Sequence, residues 1–295
     1  MAKELVNKVI FSEEEKRVFY LQSELLKRAP DLLDSRIKSI EDKAKGLDDR
    51  SIGAAEKEAK ILIAIFQVRS IKFYKKVLNF LAQEVLKENE EDDFFLLPHS
   101  RTILDIYSRF LHLLENCRTE NDKALICLAL QCRVYRVVNN VEDYTKLIGF
   151  NRNFLKSINF DFPEDPSDLS NNWIKRHNLG FYNASDLLTE DLVKKYSVQA
   201  LKIFPAKKTY FIYSQISEMV HGNPYYLTER PHNERFWVIS NVIINVSYLI
   251  ELIDRYFLDK INPRDYRVWL SDVDKSRNEF TSLWQKRRKN LKDLS

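Results

Sequence analysis

The sequence predicts an all-α fold, a multi-helix bundle with an irregular insertion around residues 150–208. Only 5 glycines and 8 prolines occur in 295 residues, which suits long helices better than the many tight turns of a β-sandwich or barrel. Hydrophobic residues make up 44% of the chain, enough for a large core. Apolar residues recur at three- and four-residue intervals over most of the chain. We therefore expect a single helical domain over residues 1–295.

The N-terminal helices, residues 1–50, are expected to lie at the periphery of this domain. Ser12 is followed by three glutamates, a pattern typical of a helix N-cap with acidic residues at the positive end of the helix dipole. Pro30 is expected to interrupt the first helix, because proline lacks a backbone N–H. Asp31 then caps a second, short helix that ends near Gly46.

A long helix is predicted over residues 53–87, and the acidic run at residues 88–93 is expected to be a solvated helix end or a linker between two halves of the bundle. Pro98 is expected to start the next helix, in which the arc that carries Arg101, Asp105, Ser108 and His112 lies opposite the apolar face. A further helix is predicted over about residues 119–138.

The second half of the chain begins with the irregular insertion, in which prolines and turn-forming residues predict short helices and loops over residues 150–208. Residues 235–257 are apolar on most sides, which predicts a helix at the centre of the bundle. The last predicted helix, residues 263–292, begins with Pro263 and ends in a basic cluster. That cluster either complements the helix dipole or contacts phosphate.

Several classes of protein are not supported. The three cysteines have no C-x-x-C spacing, so we expect reduced, buried thiols rather than disulfides or a zinc site. The histidines lack metal-binding spacing and no phosphate-binding glycine loop occurs, so no metal and no cofactor is expected. The first residues lack the apolar run of a signal peptide, and polar residues break the apolar segment 236–257. We expect a cytoplasmic protein that does not insert into a membrane.

The stretch YSQISEMVHGNP, residues 213–224, carries the main candidate chemistry. Tyr213, Ser217 and His221 are spaced by four residues and fall along one line of a helix. A partly shielded histidine at a helix C-terminus is suited to proton exchange near neutral pH, although a core histidine bonded to a neighbouring helix is the alternative.

A second candidate lies on the helix predicted after Pro98. Arg101 and Asp105 stand one turn apart and form either part of a site or an ordinary ion pair on a solvated face. Arg109 and His112 share that polar arc and would extend a basic site or a wet surface.

Two segments, LPHSRTILDIYSRF and YSQISEMVHGNP, resemble a bacterial helical family of uncharacterised function. In that family an Arg-x-x-x-Asp/Glu helix precedes a Tyr-x-x-Leu/Ile-Ser-x-x-x-His-Gly helix. The resemblance covers roughly residues 55–260. The family is similar to the HEPN superfamily, whose members are helical, often dimeric, and include metal-independent endoribonucleases of toxin-antitoxin and phage-defence systems.

The resemblance implies RNA cleavage with His221 as general base or acid, Arg101 stabilising the charge on the phosphate and Asp105 orienting one of them. It also implies substrate contacts, and we assign these to Tyr213, Ser217, Asn223 and Arg109.

One feature departs from this family. The HEPN nuclease signature places an arginine shortly before the histidine, where this chain has Ser214, Gln215 and Ile216. Either Arg101 substitutes from another helix or the protein has no nuclease activity. Two hypotheses follow: an intracellular effector that acts on RNA, or a non-catalytic helical module that binds a protein or nucleic-acid partner through residues 150–208 or the basic C-terminus. Partners expected from the first are RNA, an antitoxin and a second copy of the chain.

Overall fold

The computed structural model describes residues 12–47, 52–87, 90–177, 179, 184–197, 214, 217, 234–260 and 263–293. Helices dominate these residues, and no strand occurs among them. The all-α multi-helix prediction is therefore confirmed.

The helices are numbered in chain order. The first three are long: α1 spans Glu13–Lys45, α2 Ala54–Glu84 and α3 Glu90–Glu115. Shorter elements follow, and these are α4 (Glu120–Val137), α5 (Val141–Phe150), α6 (Arg152–Ser157), a 3-10 turn (Pro166–Asp168), α7 (Asn171–Arg176), α8 (Ala184–Leu187) and α9 (Glu190–Tyr196). Two long helices complete the described chain, α10 over Glu234–Tyr256 and α11 over Arg264–Asp293. The short elements between residues 150 and 197 match the irregular insertion expected there.

The chain divides into two compact units, each built from separated stretches of sequence. The first unit takes its described residues from Met1–Ser35, Phe73–Ser108 and Ser185–Ser295. The second takes its described residues from Arg36–Lys72 and Arg109–Ala184. The region expected to form one domain thus contains two units, and α1, α2 and α3 each supply residues to both.

Helix α10 lies in the core of the first unit. Every residue from Asn241 to Asp254 is buried, as the apolar composition of this helix predicts. Helix α11 is hydrogen-bonded to α10, because the Tyr266 hydroxyl donates to the backbone oxygen of Ser247 at 3.1 Å.

Helix α1 contributes to the core of the first unit rather than lying at its periphery. Leu25, Leu26 and Ala29 are buried, and the indole N–H of Trp269 donates to the backbone oxygen of Leu25 at 3.1 Å. Its start is as expected, because Ser12 and Glu15 form reciprocal side-chain-to-backbone bonds.

Pro30 does not interrupt α1, and the prediction of a second helix capped by Asp31 is wrong. The helix runs through Pro30 to Lys45. Proline removes one N–H and crowds the carbonyl of the residue four positions earlier, which here is Leu26. The neighbouring carbonyl of Leu25 accepts from Trp269, and the Pro30 ring is itself buried, so packing compensates for the interrupted ladder.

Pro98 does not start a helix either, because α3 begins at Glu90 and continues through it. The hydroxyl of Thr102 donates to the backbone oxygen of Pro98 at 3.1 Å, one turn earlier. Residues 90–93 of the acidic run therefore belong to the first turn of α3, while residues 88 and 89 lie outside the described residues.

The second unit has its own apolar core, formed by α2, α4 and the segments that follow α4. Its buried members include Leu62, Phe66, Cys127, Phe154 and Leu169. Helix α4 begins with a capping box between Thr119 and Asp122 and is followed by Asn139, whose φ of 49° lies in the left-handed region that asparagine tolerates. This turn leads into α5, a helix that the sequence pattern did not indicate.

Candidate functional site

Arg101 and Asp105 are paired on α3, as their spacing predicts. The Arg101 Nε atom lies 3.8 Å from Asp105 Oδ2, and the two side chains are 22% and 30% exposed. Neither side chain is therefore on an open solvated face. Burial to this extent strengthens the electrostatic effect of a permanently charged guanidinium compared with the same group in bulk water.

The rest of the polar arc on α3 is less solvated than the sequence indicates. Ser108 is buried, and its hydroxyl donates to the backbone oxygen of Asp105 at 2.9 Å. His112 is only 3% exposed. Of the two alternatives for His112, a basic site or a solvent-exposed surface, this burial rules out the second.

His112 has the environment of a structural histidine. The Asn116 side-chain amide donates to His112 Nδ1 at 2.7 Å, and burial lowers the pKa of the imidazole below its usual value. The neutral ring is therefore favoured near pH 7. In that form it accepts from Asn116 without carrying a charge into the core of the second unit.

The other predicted site residues are described only in part. His221, Tyr213 and Asn223 lie outside the described residues. Ser214 and Ser217 are each helical and half-buried, and the rest of the helix predicted before His221 lies outside the described residues. Arg109 is exposed on α3 and belongs to the second unit. The convergence of His221 with Arg101 and Asp105 stays a prediction.

The structure brings together an arginine cluster that sequence reasoning missed. Arg133 and Arg136 lie one turn apart on α4, and their guanidinium groups are held by neutral acceptors of the segment that leads into α7. Arg133 Nη2 donates to Asn171 Oδ1 at 3.3 Å, and Arg136 Nη1 donates to the backbone oxygen of Leu169 at 2.9 Å. The sequence signal was the R-V-Y-R spacing, whose meaning depends on residues more than thirty positions away.

An aromatic cluster lies beside the same segment of the second unit. The His177 ring stacks on Trp173, with centroids 4.3 Å apart and planes inclined by 29°. Phe160 meets Trp173 edge-on at 6.0 Å, and Phe162 lies 5.5 Å from it. His177 is exposed, whereas the other three rings are half-buried against the core. This set of rings is the aromatic surface referred to below.

The cysteines are buried free thiols, as predicted. Burial raises the pKa of Cys117 and of Cys132 to about 12, and raises the pKa of Cys127 as well. Within the part of the chain that the structure describes, histidine, cysteine and carboxylate side chains do not gather into a metal-binding group.

The comparisons with known proteins add no assignment. No protein-family model, no curated protein and no solved structure matches this chain. Among the described helices, none has the combined length and apolar composition that crossing a lipid bilayer requires.

Proposed function

We propose that this protein is a HEPN-like, intracellular endoribonuclease that acts without a metal ion, as an effector of a bacterial toxin or phage-defence system. The observation that supports the proposal is the Arg101–Asp105 pair on α3, which is partly shielded from solvent rather than spread over an open surface. A shielded guanidinium held by a carboxylate one turn away is suited to stabilise negative charge on a phosphate.

The proposed reaction needs alignment and proton transfer. The ribose 2′-oxygen bonds to the adjacent phosphorus while the bond from phosphorus to the 5′-oxygen breaks. His221 either takes the proton of the 2′-hydroxyl or gives one to the leaving oxygen. Arg101 stabilises the charge that builds on the non-bridging phosphate oxygens, and Asp105 orients Arg101. Ser217, Tyr213, Asn223 and Arg109 would contact the substrate.

The test is RNA cleavage by the purified protein in the presence of a chelator. We expect His221→Ala to lower the cleavage rate by about a hundred- to ten-thousandfold, the range for a general acid or base. Arg101→Gln should lower it by about a hundred- to a thousandfold, the range for a group that stabilises developing charge. The matched control is Arg69→Gln, which changes an exposed arginine of α2. Unchanged cleavage in the folded His221→Ala protein would refute the proposal.

The same proposal includes location and partners. The protein acts in the cytoplasm, where its substrate RNA is found, and an antitoxin protein restrains it. A homo-oligomer with a two-fold axis would bring two copies of the His221 helix together and complete a composite site.

A second candidate function, a non-catalytic module that binds a protein partner, is favoured by the surface at the end of α4. Val134, Val137 and Val138 are each more than half exposed, and Val141 follows at the start of α5. Contiguous exposed apolar residues of this kind mark protein interaction sites. The simplest partner is a second copy of the chain.

Sedimentation velocity over a range of protein concentrations tests this second candidate. Association that is lost in Val137→Glu and kept in Gln285→Glu, an exposed position of α11, would support it. A chain that stays monomeric, or a Val137→Glu variant that associates like the wild type, would argue against self-association through the valines.

A further inference from the structure

The arginines at the end of α4 are oriented without being neutralised. Arg133 and Arg136 donate to an amide oxygen and a backbone oxygen, respectively, and both of these acceptors are uncharged. Within the described part of the chain, neither guanidinium forms an ion pair with a carboxylate. The charge of each arginine is therefore not cancelled by its acceptor, while a hydrogen bond already restricts the side chain, which lowers the entropic cost of binding a ligand.

A third arginine adds to the same positive field. The pKa of Arg133 is lowered by partial burial first, and then by the charges of Arg136 and Arg109. Partial burial and the neighbouring positive charges both disfavour the charged form of Arg133. An anion bound between Arg133 and Arg136 would relieve the repulsion at Arg133 and replace the solvation that Arg133 has lost, so this pair is suited to bind negative charge.

The aromatic surface is linked to the arginines through α7. Asn171, which accepts from Arg133, is the first residue of the helix that carries Trp173 and ends next to His177. Six residues of helix rise by roughly 9 Å, so a ligand with both an anionic and a planar part could span the two features. One face of the His177 ring stacks on Trp173, and because His177 is exposed, its other face is suited to stack on such a planar group.

Carboxylates of the same unit limit the range of ligands. Asp161, Glu164, Asp165 and Asp168 are exposed on the segment between α6 and α7. Asp165 is engaged locally, because its Oδ1 accepts from the backbone N–H and the hydroxyl of Ser167, each at 2.7 Å. The negative charges of this segment would repel the long, continuous phosphate backbone of a duplex. A short stretch of phosphates whose bases are free to stack fits the arrangement better.

We propose that this surface of the second unit binds a single-stranded polynucleotide, with Arg133 and Arg136 holding phosphates and the His177–Trp173 stack receiving a base. The choice of RNA over DNA rests on the proposed function, whereas the binding mode rests on the arginines and the rings alone. A surface that receives an unpaired base would favour single-stranded over paired substrates.

The test is fluorescence anisotropy of a labelled single-stranded RNA of about 12 nucleotides, within the usual site size, in chelator and at several salt concentrations. For single strands, log K falls with log salt by about 0.7 for each phosphate that is neutralised. The double variant Arg133→Gln/Arg136→Gln should therefore reduce the magnitude of the slope by about 1.4. The double Lys variant at the same positions should keep most of the slope, because it keeps the charge.

The stacking part is tested separately with His177→Ala, a change at an exposed position. Loss of one stacked base weakens binding by about five- to a hundredfold at every salt concentration, without changing the slope. Arg69→Gln, again the control, should alter neither quantity, and circular dichroism confirms that each variant is folded. Wild-type affinity and slope in both the double Gln and the His177→Ala proteins would overturn the inference, as would equal binding of a duplex RNA.

Further measurements distinguish a failure of this inference from a failure of the proposed function. A single-stranded DNA of the same sequence distinguishes the two sources of polynucleotide: preference for RNA supports the RNA assignment, and equal affinity overturns that assignment. Binding that depends on Arg133 and Arg136 but is never followed by cleavage supports the surface and refutes the nuclease. Cleavage that depends on His221 but not on these arginines refutes the surface and leaves the nuclease standing.

Discussion

Replacing Glu58 by glutamine should loosen the start of α6 without changing the shape of the side chain. Helix α6 has no side-chain cap of its own, because the Asn151 amide donates instead to the backbone oxygen of Leu147. Glu58 of α2 supplies the missing acceptor. Its Oε2 accepts from the backbone N–H of Phe154 at 2.7 Å, and its Oε1 accepts from Asn153 Nδ2 at 2.6 Å.

The magnitude follows from these two bonds. Glutamine keeps one acceptor oxygen but turns an NH₂ group towards one of the two donors, so one charge-assisted bond is lost whichever way the amide is placed. Such a bond contributes about 1.5–3 kcal/mol, and the negative charge near the N-terminus of α6 is lost as well. Opening of the Phe154 amide should become easier by about 1.5–3 kcal/mol, which corresponds to faster hydrogen exchange by about ten- to a hundredfold.

Hydrogen exchange of the Phe154 amide, followed by NMR, is the appropriate assay, because the protein has two units and a single unfolding transition is not assured. The control is Glu56→Gln on the same helix, where an exposed pair with Lys60 is lost and less than about 1 kcal/mol is expected. If Glu58→Gln and Glu56→Gln give the same exchange rate at Phe154, the capping argument is wrong.

Further predictions concern buried groups. Burial lowers the pKa of His112, so the unfolded chain binds this proton at a higher pH than the folded protein does. The contribution of the neutral ring to the free energy of unfolding is therefore complete above roughly pH 6.5 and is lost as the pH falls towards the pKa of the folded protein. His112→Gln should therefore lose less Tm than the wild type between pH 7.5 and 5.5, and an equal loss would contradict this. The three cysteines should react with a thiol reagent at pH 8 only after urea is added, and rapid labelling of native protein would show that their burial is not maintained. Trp269→Phe leaves the Leu25 carbonyl without its indole donor and should destabilise the first unit by about 1–3 kcal/mol in urea unfolding, whereas an unchanged midpoint would mean that the bond contributes little.

The fold class could be predicted from the sequence because helical periodicity is a local property. Helix α10 shows this well, since a run that is apolar on most sides has few alternatives to a buried helix, and every residue from Asn241 to Asp254 is buried. The positions of breaks were predicted less well. Pro30 and Pro98 weaken a helix locally by about 3 kcal/mol, but tertiary packing of the long helices around them outweighs that cost.

The candidate site was predictable only where it depends on one helix. The Arg101–Asp105 pair follows from four-residue spacing, and the structure contains it. The burial of Ser108 and His112 depends on what packs against α3, which spacing does not reveal. The arginines of α4 were missed for the same reason, because Arg133 acquires its orientation from Asn171, far away in sequence.

The order in which the segments of the two units occur along the chain has a consequence for synthesis on the ribosome. The second unit ends at Ala184, so all of its segments have been made while α10 and α11 are still to come. The first unit includes both α1 and α11, and its bond between Leu25 and Trp269 joins residues 244 positions apart. The nested unit can therefore fold during translation, whereas the face of α1 that meets Trp269 stays uncovered until α11 emerges. Nascent chains that stall before α11 would expose that face to chaperones, and their second unit would already be complete.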